Sequence, residues 1–343
     1  MKALIIGGGI AGICTTIELQ KKNVHCTVID QGTNVSTKIA AGMINPIVFR
    51  RTTKSWRADE FFPCLEDFYS EIEKTSDAHF FHPIVIRRIF SSEQERAEWL
   101  KKEKQEKYNE FLAPISIEDD EFKGVYAPFG TGRVTKAFWV DSERFNKHCI
   151  HQVSQNGIWI TEPFDYFLYK PETVEYKSEK YDFVIFCEGF AVKNNPLFNN
   201  LKIESTKGQV LKIIANDLSE NESLNRKCFV LPVGNKEFKI GSTYEWKATD
   251  SNITEEGKNQ ILTNYHILGL SEPHVIEQNA GIRPTTFDRR PFIGEHPQLK
   301  RNYILNGLGT KGYMLAPLLA KELVAHILHD EKLDPEVSLN RTD

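Results

Sequence analysis

The chain has 343 residues, of which 40% are hydrophobic and 26% are charged, a composition typical of a globular protein of about two domains. This composition excludes extensive disorder, collagen-like repetition and a mini-protein whose core depends on disulfides or metals. The 43 Lys and Arg residues are balanced by 47 Asp and Glu residues. The resulting net charge of −4 provides no overall attraction to nucleic acid, although it leaves room for a local basic patch.

The N-terminal segment predicts a strand, a glycine turn, a helix and a second strand. Residues 3–6 are an apolar run that ends at the glycine turn 7–12, and apolar residues then recur at helical spacing through Lys22. A β-branched run over 24–29 stops at Asp30. Together these segments form one predicted βαβ unit.

The central part of the chain departs from this alternation. Charged helical patterns over 59–74 and 91–111 predict two solvated helices. Residues 157–168 and 181–186 are predicted strands, and the second contains an apolar run that suits a buried parallel strand. Several strand-like stretches between 208 and 240, separated by polar turns, predict an antiparallel sheet.

The C-terminal segment returns to the α/β pattern. Residues 303–305 predict a strand, which leads into a second glycine turn at 307–312 and a helix that ends at about His329. The apolar stretch 313–328 is interrupted by Pro317 and by charged side chains, so it falls short of the roughly 18 apolar residues of a membrane-spanning helix. We therefore expect no membrane span.

The cysteines and histidines give no sign of a metal or redox centre. The six cysteines are widely spaced and form no C-x-x-C pair, and the histidines show no metal-ligand spacing. We therefore expect no metal site, and reduced thiols fit a cytoplasmic protein best.

The first glycine turn has the G-x-G-x-x-G spacing of a dinucleotide-binding motif. In this motif Gly7 permits the tight turn, Gly9 lets the backbone approach a pyrophosphate, and Gly12 lets helix and strand pack closely. Asp30 ends the next strand, where it would accept hydrogen bonds from a ribose. The alternative is a βα turn without a ligand. The motif does not separate NAD from FAD, since both contain adenosine diphosphate. No second such motif follows, which disfavours a flavin enzyme that also binds NAD(P)H.

The order of the remaining motifs resembles that of the D-amino acid oxidase-like (DAO) FAD-dependent oxidoreductases, a family that includes glycine oxidase and sarcosine oxidase. The motifs that carry this resemblance are Ser36-Thr37 before Ala40-Ala41-Gly42-Met43, the segment Gly281-Ile282-Arg283-Pro284, and residues 307–317. The last segment is also similar to the oxidase domain of the bifunctional enzyme that modifies the wobble uridine of tRNA.

The resemblance implies FAD as cofactor. The binding is expected to be non-covalent, because the Arg283 segment has no cysteine of the kind that anchors flavin in sarcosine oxidases. Backbone N–H groups of residues 309–312 would stabilise negative charge on the reduced flavin. Phe164 would lie near the adenine, and Cys187 is expected to be a buried apolar residue rather than a nucleophile. The residues that the resemblance places around FAD are Gly7, Gly9, Ile10, Ala11, Gly12, Asp30, Gln31, Thr37, Ala41, Gly42, Met43, Phe164, Cys187, Gly189, Gly309, Thr310, Lys311 and Gly312.

Three residues are candidates for contact with the substrate. The resemblance assigns Arg283 to a substrate carboxylate, for which a guanidinium is suited because it can bind two oxygens at once; the alternative is an arginine bonded to protein groups. Lys311 would add positive charge near the flavin or else be a solvated loop lysine, and Tyr244 would be a pocket wall or a packed strand aromatic. Phe229 stands where glycine oxidases offer a tyrosine, and Thr310 where they have an arginine, so glycine itself is a doubtful substrate.

The predicted fold is α/β with α+β character in an inserted domain: a FAD-binding Rossmann-like domain over 1–47, 139–204 and 280–343, and a substrate domain with a mixed, largely antiparallel sheet over 48–138 and 205–279. The active site is expected between them.

The predicted reaction is oxidation of the C–N bond of a small amine or amino acid by hydride transfer to flavin N5, followed by hydrolysis of the imine. Either oxygen or a quinone or carrier protein would take the electrons. The alternatives are oxidative processing of a carboxymethylaminomethyl group on a tRNA uridine, a non-catalytic flavin-binding protein, and an NAD-dependent dehydrogenase.

Overall fold

A six-stranded sheet assembled from both ends of the chain and a nine-stranded sheet frame the computed structural model, which describes residues 1–33, 36–75, 77–120 and 124–341. Its strands are β1 (Lys2–Ile6), β2 (His25–Ile29), β3 (Met43–Ile44), β4 (Ile47–Val48), β5 (Thr53–Lys54), β6 (Phe81–Ile89), β7 (Thr131–Val140), β8 (Ile158–Ile160), β9 (Tyr169–Lys170), β10 (Glu175–Tyr176), β11 (Glu179–Lys180), β12 (Phe183–Phe186), β13 (Ile203–Ile214), β14 (Glu222–Asn225), β15 (Phe229–Gly234), β16 (Glu237–Gly241), β17 (Glu245–Trp246), β18 (His274–Thr286), β19 (Phe292–Glu295) and β20 (Asn302–Asn306). Its α-helices are α1 (Ile10–Lys21), α2 (Ser36–Ile39), α3 (Ala58–Lys74), α4 (Glu93–Lys102), α5 (Ile117–Asp120), α6 (Ser142–Gln155), α7 (Glu255–His266) and α8 (Gly312–His329).

The six-stranded sheet has the order β19-β20-β12-β1-β2-β8, and all its pairings are parallel except that of β19 with β20. Alternate residues of β1 enter different cores. Ala3 and Ile5 pack with the helices α1 and α8, whereas Leu4 and Ile6 pack with tyrosines of the small sheet β9–β11. Because both faces are buried, the strands are continuous apolar runs, as expected for a parallel sheet.

The nine-stranded sheet is mixed and largely antiparallel. It has the order β17-β13-β16-β15-β14-β6-β7-β3, with β18 paired to β13, and only β14 and β6 run parallel. The strands β13 and β18 pair over almost their whole length. The predicted fold class is confirmed.

Three of the four predicted domain boundaries fall inside long strands, and the fourth, at 47/48, divides the two-residue strand β4. The strand β7 crosses the boundary at 139, β13 crosses the one at 205, and β18 crosses the one at 280. These three boundaries therefore divide strands of the nine-stranded sheet, and the division into two domains stays a prediction.

Some helical and strand patterns end earlier in the structure than in the sequence prediction. The helix α4 stops at Lys102, and the rest of the pattern over 91–111 contains a 3-10 turn followed by the buried Phe111. The strand predicted over 157–168 is limited to Ile158–Ile160. The helix α3 is not solvated all round, because one face buries aromatic and aliphatic side chains, including Phe61 and Phe68. The C-terminal helix is confirmed through His329.

No helix among the described residues is both long enough and apolar enough to cross a membrane. The part of the chain that the structure describes also contains no group of three or more His, Cys, Asp and Glu residues arranged to hold a metal ion.

Candidate active site

A cavity of about 530 Å³ lies between the two sheets. Residues at the carboxyl ends of β1, β2, β12 and β20 line one side of it, including Gly7, Asp30 and Cys187. Residues of the second sheet, such as Gly208 and Phe229, line the other side. Ligands of α/β proteins bind at this end of a parallel sheet, so the cavity is the candidate active site.

The structure brings nearly all the predicted site residues together around this cavity. Gly12 does not line it; a Cβ at Gly12 would lie 1.9 Å from the Gly7 carbonyl oxygen, so this glycine lets α1 pack against the turn. The functional roles of the residues stay predictions. The predicted residues that line the cavity are Gly7, Gly9, Ile10, Ala11, Asp30, Gln31, Thr37, Ala41, Gly42, Met43, Phe164, Cys187, Gly189, Tyr244, Arg283, Gly309, Thr310, Lys311 and Gly312.

The first glycine turn leaves backbone donors free at the cavity wall. A Cβ at Gly9 would meet only the Thr37 hydroxyl, at 3.2 Å, so it would project into the cavity. In the part of the chain described, the backbone N–H groups of Gly9 and Ala11 have no acceptor. Free N–H groups at the start of a helix suit an anionic diphosphate, so the turn fits the diphosphate of FAD.

Asp30 and Thr37 hold this turn in place. The Asp30 carboxylate accepts the Gly8 and Gly32 N–H groups, at 2.6 and 2.7 Å. The Thr37 hydroxyl accepts the Ile10 N–H at 2.9 Å. Asp30 therefore braces the glycine turn as well as lining the cavity where a ribose is predicted.

The second glycine turn offers fewer backbone donors than predicted. The Gly309 N–H donates to the Pro284 carbonyl at 2.9 Å, and the Lys311 N–H donates to the Leu308 carbonyl at 3.2 Å. These two N–H groups are therefore not free for a flavin, and the predicted contact of residues 309–312 with FAD stays a prediction. Among the described residues, the N–H groups of Thr310 and Gly312 have no acceptor.

Lys311 is an anchored lysine rather than a solvated loop residue. Its ammonium donates to the Asn45 carbonyl and to the Ser55 hydroxyl, both at 2.8 Å. Burial without a carboxylate partner lowers the pKa of Lys311 from 10.5 to about 8. Lys311 thus ties the start of α8 to the segment that contains Asn45 and Ser55, at the wall of the cavity.

Replacing Lys311 with methionine is expected to remove a pH-dependent contribution to stability. Because the pKa of Lys311 is lower in the fold than its ordinary value of 10.5, the unfolded chain binds more protons between about pH 8 and 10.5. The contribution of Lys311 to the free energy of unfolding therefore rises with pH across this range. We expect the unfolding free energy of the wild type minus that of Lys311→Met to rise from pH 7 to pH 9.5 in denaturant titrations. An unchanged difference would contradict the lowered pKa.

Arg283 projects from β18 over the second sheet into the cavity. Its guanidinium donates to the Ser242 hydroxyl at 2.8 Å and to the Thr243 carbonyl at 3.3 Å, and lies 4.8 Å from the centre of the Tyr244 ring. Within the described ranges no carboxylate pairs with it. Burial lowers the pKa of Arg283 from its ordinary value, but a guanidinium stays charged in proteins. The cavity therefore contains a positive charge that protein groups do not neutralise.

Gly208 is a site residue that the sequence prediction did not assign. It lies opposite Gly281 on the cavity face of the sheet, beside the pair formed by Thr206 and Arg283. A Cβ at Gly208 would lie 1.8 Å from Nη2 of Arg283. Gly208 thus provides the space that the guanidinium occupies. Its role depends on Arg283 in the neighbouring strand β18, so no local pattern in the sequence marks it.

Replacing Gly208 with alanine is expected to displace Arg283 and leave the fold intact, since the clash is with the flexible end of a side chain. A misplaced binding group costs about tenfold or more in activity. We expect this cost as a rise in KM for a carboxylated substrate. Steady-state kinetics would measure it, with FAD content as a check on folding. In an Arg283→Ala background the same substitution should have no further effect.

Glu188 is a second unassigned residue of the cavity. It follows Cys187 at the end of β12, and its carboxyl accepts hydrogen bonds from the Tyr166 hydroxyl and from Asn195 Nδ2. Burial raises the pKa of Glu188 from 4.5 to about 7 and that of the Cys187 thiol from 9.0 to about 12. Cys187 is therefore protonated at neutral pH, as expected for a buried apolar residue.

The chain matches known protein families along most of its length. The family model described as DAO, FAD dependent oxidoreductase, matches residues 2–326. The tRNA 5-methylaminomethyl-2-thiouridine biosynthesis bifunctional protein MnmC of Idiomarina loihiensis is 22% identical over 354 residues, which cover 94% of this chain and 55% of that protein. Glycine oxidase of Geobacillus kaustophilus is 26% identical over 93 residues, which cover 26% of this chain and 25% of that protein. The chain thus spans about half the length of the first relative and matches a quarter of the second.

Solved structures share the fold over nearly the whole chain. The crystal structure of glycine oxidase from Geobacillus kaustophilus has a TM-score of 0.84 at 16% identity and covers 99% of this chain and 98% of that chain. The crystal structure of iminodiacetate oxidase from Chelativorans sp. BNC1 has a TM-score of 0.79 at 17% identity, with coverage of 97% and 96%.

Proposed function

The chain belongs to the DAO family of FAD-dependent oxidoreductases, and from this membership we propose that it oxidises the C–N bond of a small amine or amino acid that carries a carboxylate. The observation that carries this proposal is the unpaired guanidinium of Arg283 in the cavity. A buried cation without a protein carboxylate favours binding of an anionic ligand group. The two oxidases with the same fold are named for substrates, glycine and iminodiacetate, that combine an amine with a carboxylate.

The cavity has the features needed to hold FAD. Gly9 and Ala11 offer free N–H groups to a diphosphate, and Asp30 lies at the predicted ribose position. The cysteine that lines the cavity, Cys187, stays protonated at neutral pH, which supports non-covalent binding. When bound, FAD accepts the hydride that leaves the carbon of the C–N bond.

The side chains of the cavity position the substrate rather than exchange protons with it. Arg283 holds the carboxylate, and the Ser242 hydroxyl fixes the guanidinium from the far side. Phe229 and Tyr244 add apolar surface that helps to exclude water. Orientation and desolvation of this kind lower the barrier without a catalytic acid or base, since the substrate amine supplies the electron pair.

Anaerobic mixing of the purified protein with a panel of amines tests this proposal. Loss of flavin absorbance with an amine that carries a carboxylate, and a weaker response to the same amine without the carboxylate, is the expected result. A flavin that no amine of either class bleaches would favour the non-catalytic alternative. A colourless protein that binds NADH would favour the dehydrogenase. Mixing the reduced protein with oxygen or with a soluble quinone, and following the return of flavin absorbance, identifies the electron acceptor.

Exposed aromatic side chains beside Arg283 favour a second candidate function. Trp246 and Phe287 are 52% and 64% exposed, and the Arg289 guanidinium lies over the Trp246 ring, 5.6 Å from its centre. Trp246 is opposite Thr206, which is itself opposite Arg283, so all three side chains share one sheet face. Aromatic rings combined with basic groups are typical of surfaces that stack bases of single-stranded nucleic acid. The second candidate is therefore oxidation of a modified uridine in tRNA, since the MnmC relative is named for tRNA 5-methylaminomethyl-2-thiouridine biosynthesis.

Binding of unmodified tRNA, measured at several salt concentrations, separates the two candidates. A tRNA enzyme should bind with an affinity that falls as salt rises, and Trp246→Ala should weaken this binding about tenfold, as expected for one lost stacking contact. A small-molecule oxidase should show no such binding, and Trp246→Ala should leave the reduction of its flavin by amino acids unchanged.

A further inference from the structure

Glu188 brings a carboxyl group to the part of the cavity where a diphosphate is proposed to bind. It lines the cavity beside the first glycine turn, since a Cβ at Gly7 would lie 3.2 Å from the Glu188 Cα. The proposed mechanism makes no use of it. A carboxylate is the wrong charge for a phosphate site, so its presence there needs a physical explanation.

The hydrogen-bond partners of Glu188 can serve a neutral carboxylic acid as well as a carboxylate. Asn195 is fully buried and donates from Nδ2 to Oε2 of Glu188 at 2.6 Å, while its own Oδ1 accepts the Leu197 N–H at 2.8 Å. The amide orientation is thus fixed, and Oε2 is the accepting oxygen. The other oxygen, Oε1, contacts the Tyr166 hydroxyl, which can accept a proton donor as well as donate. The Tyr166 hydroxyl donates to Oε1 when Glu188 is ionised and can accept from Oε1 when Glu188 is protonated, whereas Oε2 accepts from Asn195 in both states.

Burial of Glu188 disfavours its charge more strongly than the two hydrogen bonds favour it. In the described part of the chain, the titratable groups that face it are Tyr166 and Cys187, and burial raises the pKa of both, so both are neutral in the physiological range. Within the described ranges no cation pairs with the carboxylate, and burial raises its pKa to about 7. A bound diphosphate would add negative charge in the same cavity and would shift the equilibrium further toward the acid.

We propose that Glu188 is a FAD-binding residue that is protonated in the complex, so that FAD binding at neutral pH takes up a proton from solvent onto the Glu188 carboxylate. This inference rests on the proposed placement of FAD in the cavity. The affinity for FAD is then at its maximum below the pKa of the free site and falls as pH rises through it, because the ionised side chain must be protonated before the complex forms.

Release of FAD from the holoenzyme after dilution, followed by flavin fluorescence between pH 6 and 8.5, tests the inference. We expect the apparent Kd of the wild-type protein to rise by up to about 30-fold across this range, as for one proton linked to binding. Glu188→Gln should bind FAD equally at all these pH values, with a Kd close to that of the wild type at pH 6. Glutamine reproduces the neutral acid, since its NH₂ can donate to Tyr166 and its oxygen can accept from Asn195.

Two further variants complete the experiment. Glu172→Gln, which removes an exposed carboxylate, should keep the pH dependence of the wild type. Glu188→Thr is also neutral and should likewise lose the pH dependence, which keeps the test open if Glu188→Gln does not fold. A flat wild-type profile, or a wild-type slope in the folded Glu188 variants, overturns the role of Glu188 and leaves the proposed function standing. A purified protein that holds no FAD at any pH overturns both.

Discussion

Replacing Arg283 with alanine is expected to raise KM for a carboxylated amine by about 10- to 100-fold, because a hydrogen bond to a charged group is worth about 1.5–3 kcal/mol and each 1.4 kcal/mol is a factor of ten. Among the described residues the guanidinium has only neutral hydrogen-bond partners, the Ser242 hydroxyl and the Thr243 carbonyl. Its charge is therefore available to the substrate. Steady-state kinetics with the best substrate of the amine panel would measure the change.

The same variant separates recognition of the carboxylate from damage to the site. An amine without a carboxylate should be oxidised about equally by wild type and Arg283→Ala, and FAD content should not change. Arg283→Lys should lie between the two, since an ammonium keeps the charge but not the paired donor geometry. Equal losses for both classes of amine would remove Arg283 from substrate recognition and assign it a structural role.

Replacing Gly9 with valine is expected to weaken FAD binding at least about a hundredfold, because it would block two charge-assisted hydrogen bonds worth about 1.5–3 kcal/mol each. A side chain at this position meets only the Thr37 hydroxyl and otherwise extends into the cavity. It would occupy the space in front of the free N–H groups of Gly9 and Ala11. The flavin content of the purified variant and a fluorescence titration with FAD would measure the effect.

Because the new side chain points into the cavity, the Gly9 variants should fold without the cofactor. The far-ultraviolet circular dichroism of Gly9→Val should match that of the wild-type apoprotein, and Gly9→Ala should give an intermediate loss of affinity. Gly12→Val is the contrasting case, since its Cβ would lie 1.9 Å from the Gly7 carbonyl and should unfold the turn. Normal FAD binding by Gly9→Val would show that the cofactor lies elsewhere.

Local features of the sequence were sufficient to predict the glycine turns and their strands. The spacing of Gly7, Gly9 and Gly12 predicts the turn between β1 and α1. The structure places Gly7 and Gly9 at the cavity and Gly12 behind it. The apolar run ending at Phe186 likewise predicts a buried strand, which the structure confirms. Short-range patterns are informative here because the residues that determine each turn or strand lie close together in the chain.

Features that depend on distant partners could not be predicted in this way. Lys311 is anchored by Asn45 and Ser55, which are more than 250 positions away in the chain. Gly208 matters because Arg283 lies over it, and the two N–H groups of Gly309 and Lys311 are lost to carbonyl groups that only the fold brings near. For α3, the many charged residues concealed an apolar face that packs against α8. Tertiary packing decides each of these cases.

The parallel sheet places β1, the first strand of the chain, beside β12, and β12 beside β20. During synthesis the first glycine turn leaves the ribosome long before β18, β20 and the start of α8 exist, although all of them line the same cavity. The nascent chain therefore cannot enclose the flavin while it grows, and the exposed edge of β12 must wait for β20 to be translated. Pairings between such remote segments slow folding and lengthen the time for which apolar edges are open to aggregation. The cavity is therefore complete only once the chain has been made through the start of α8.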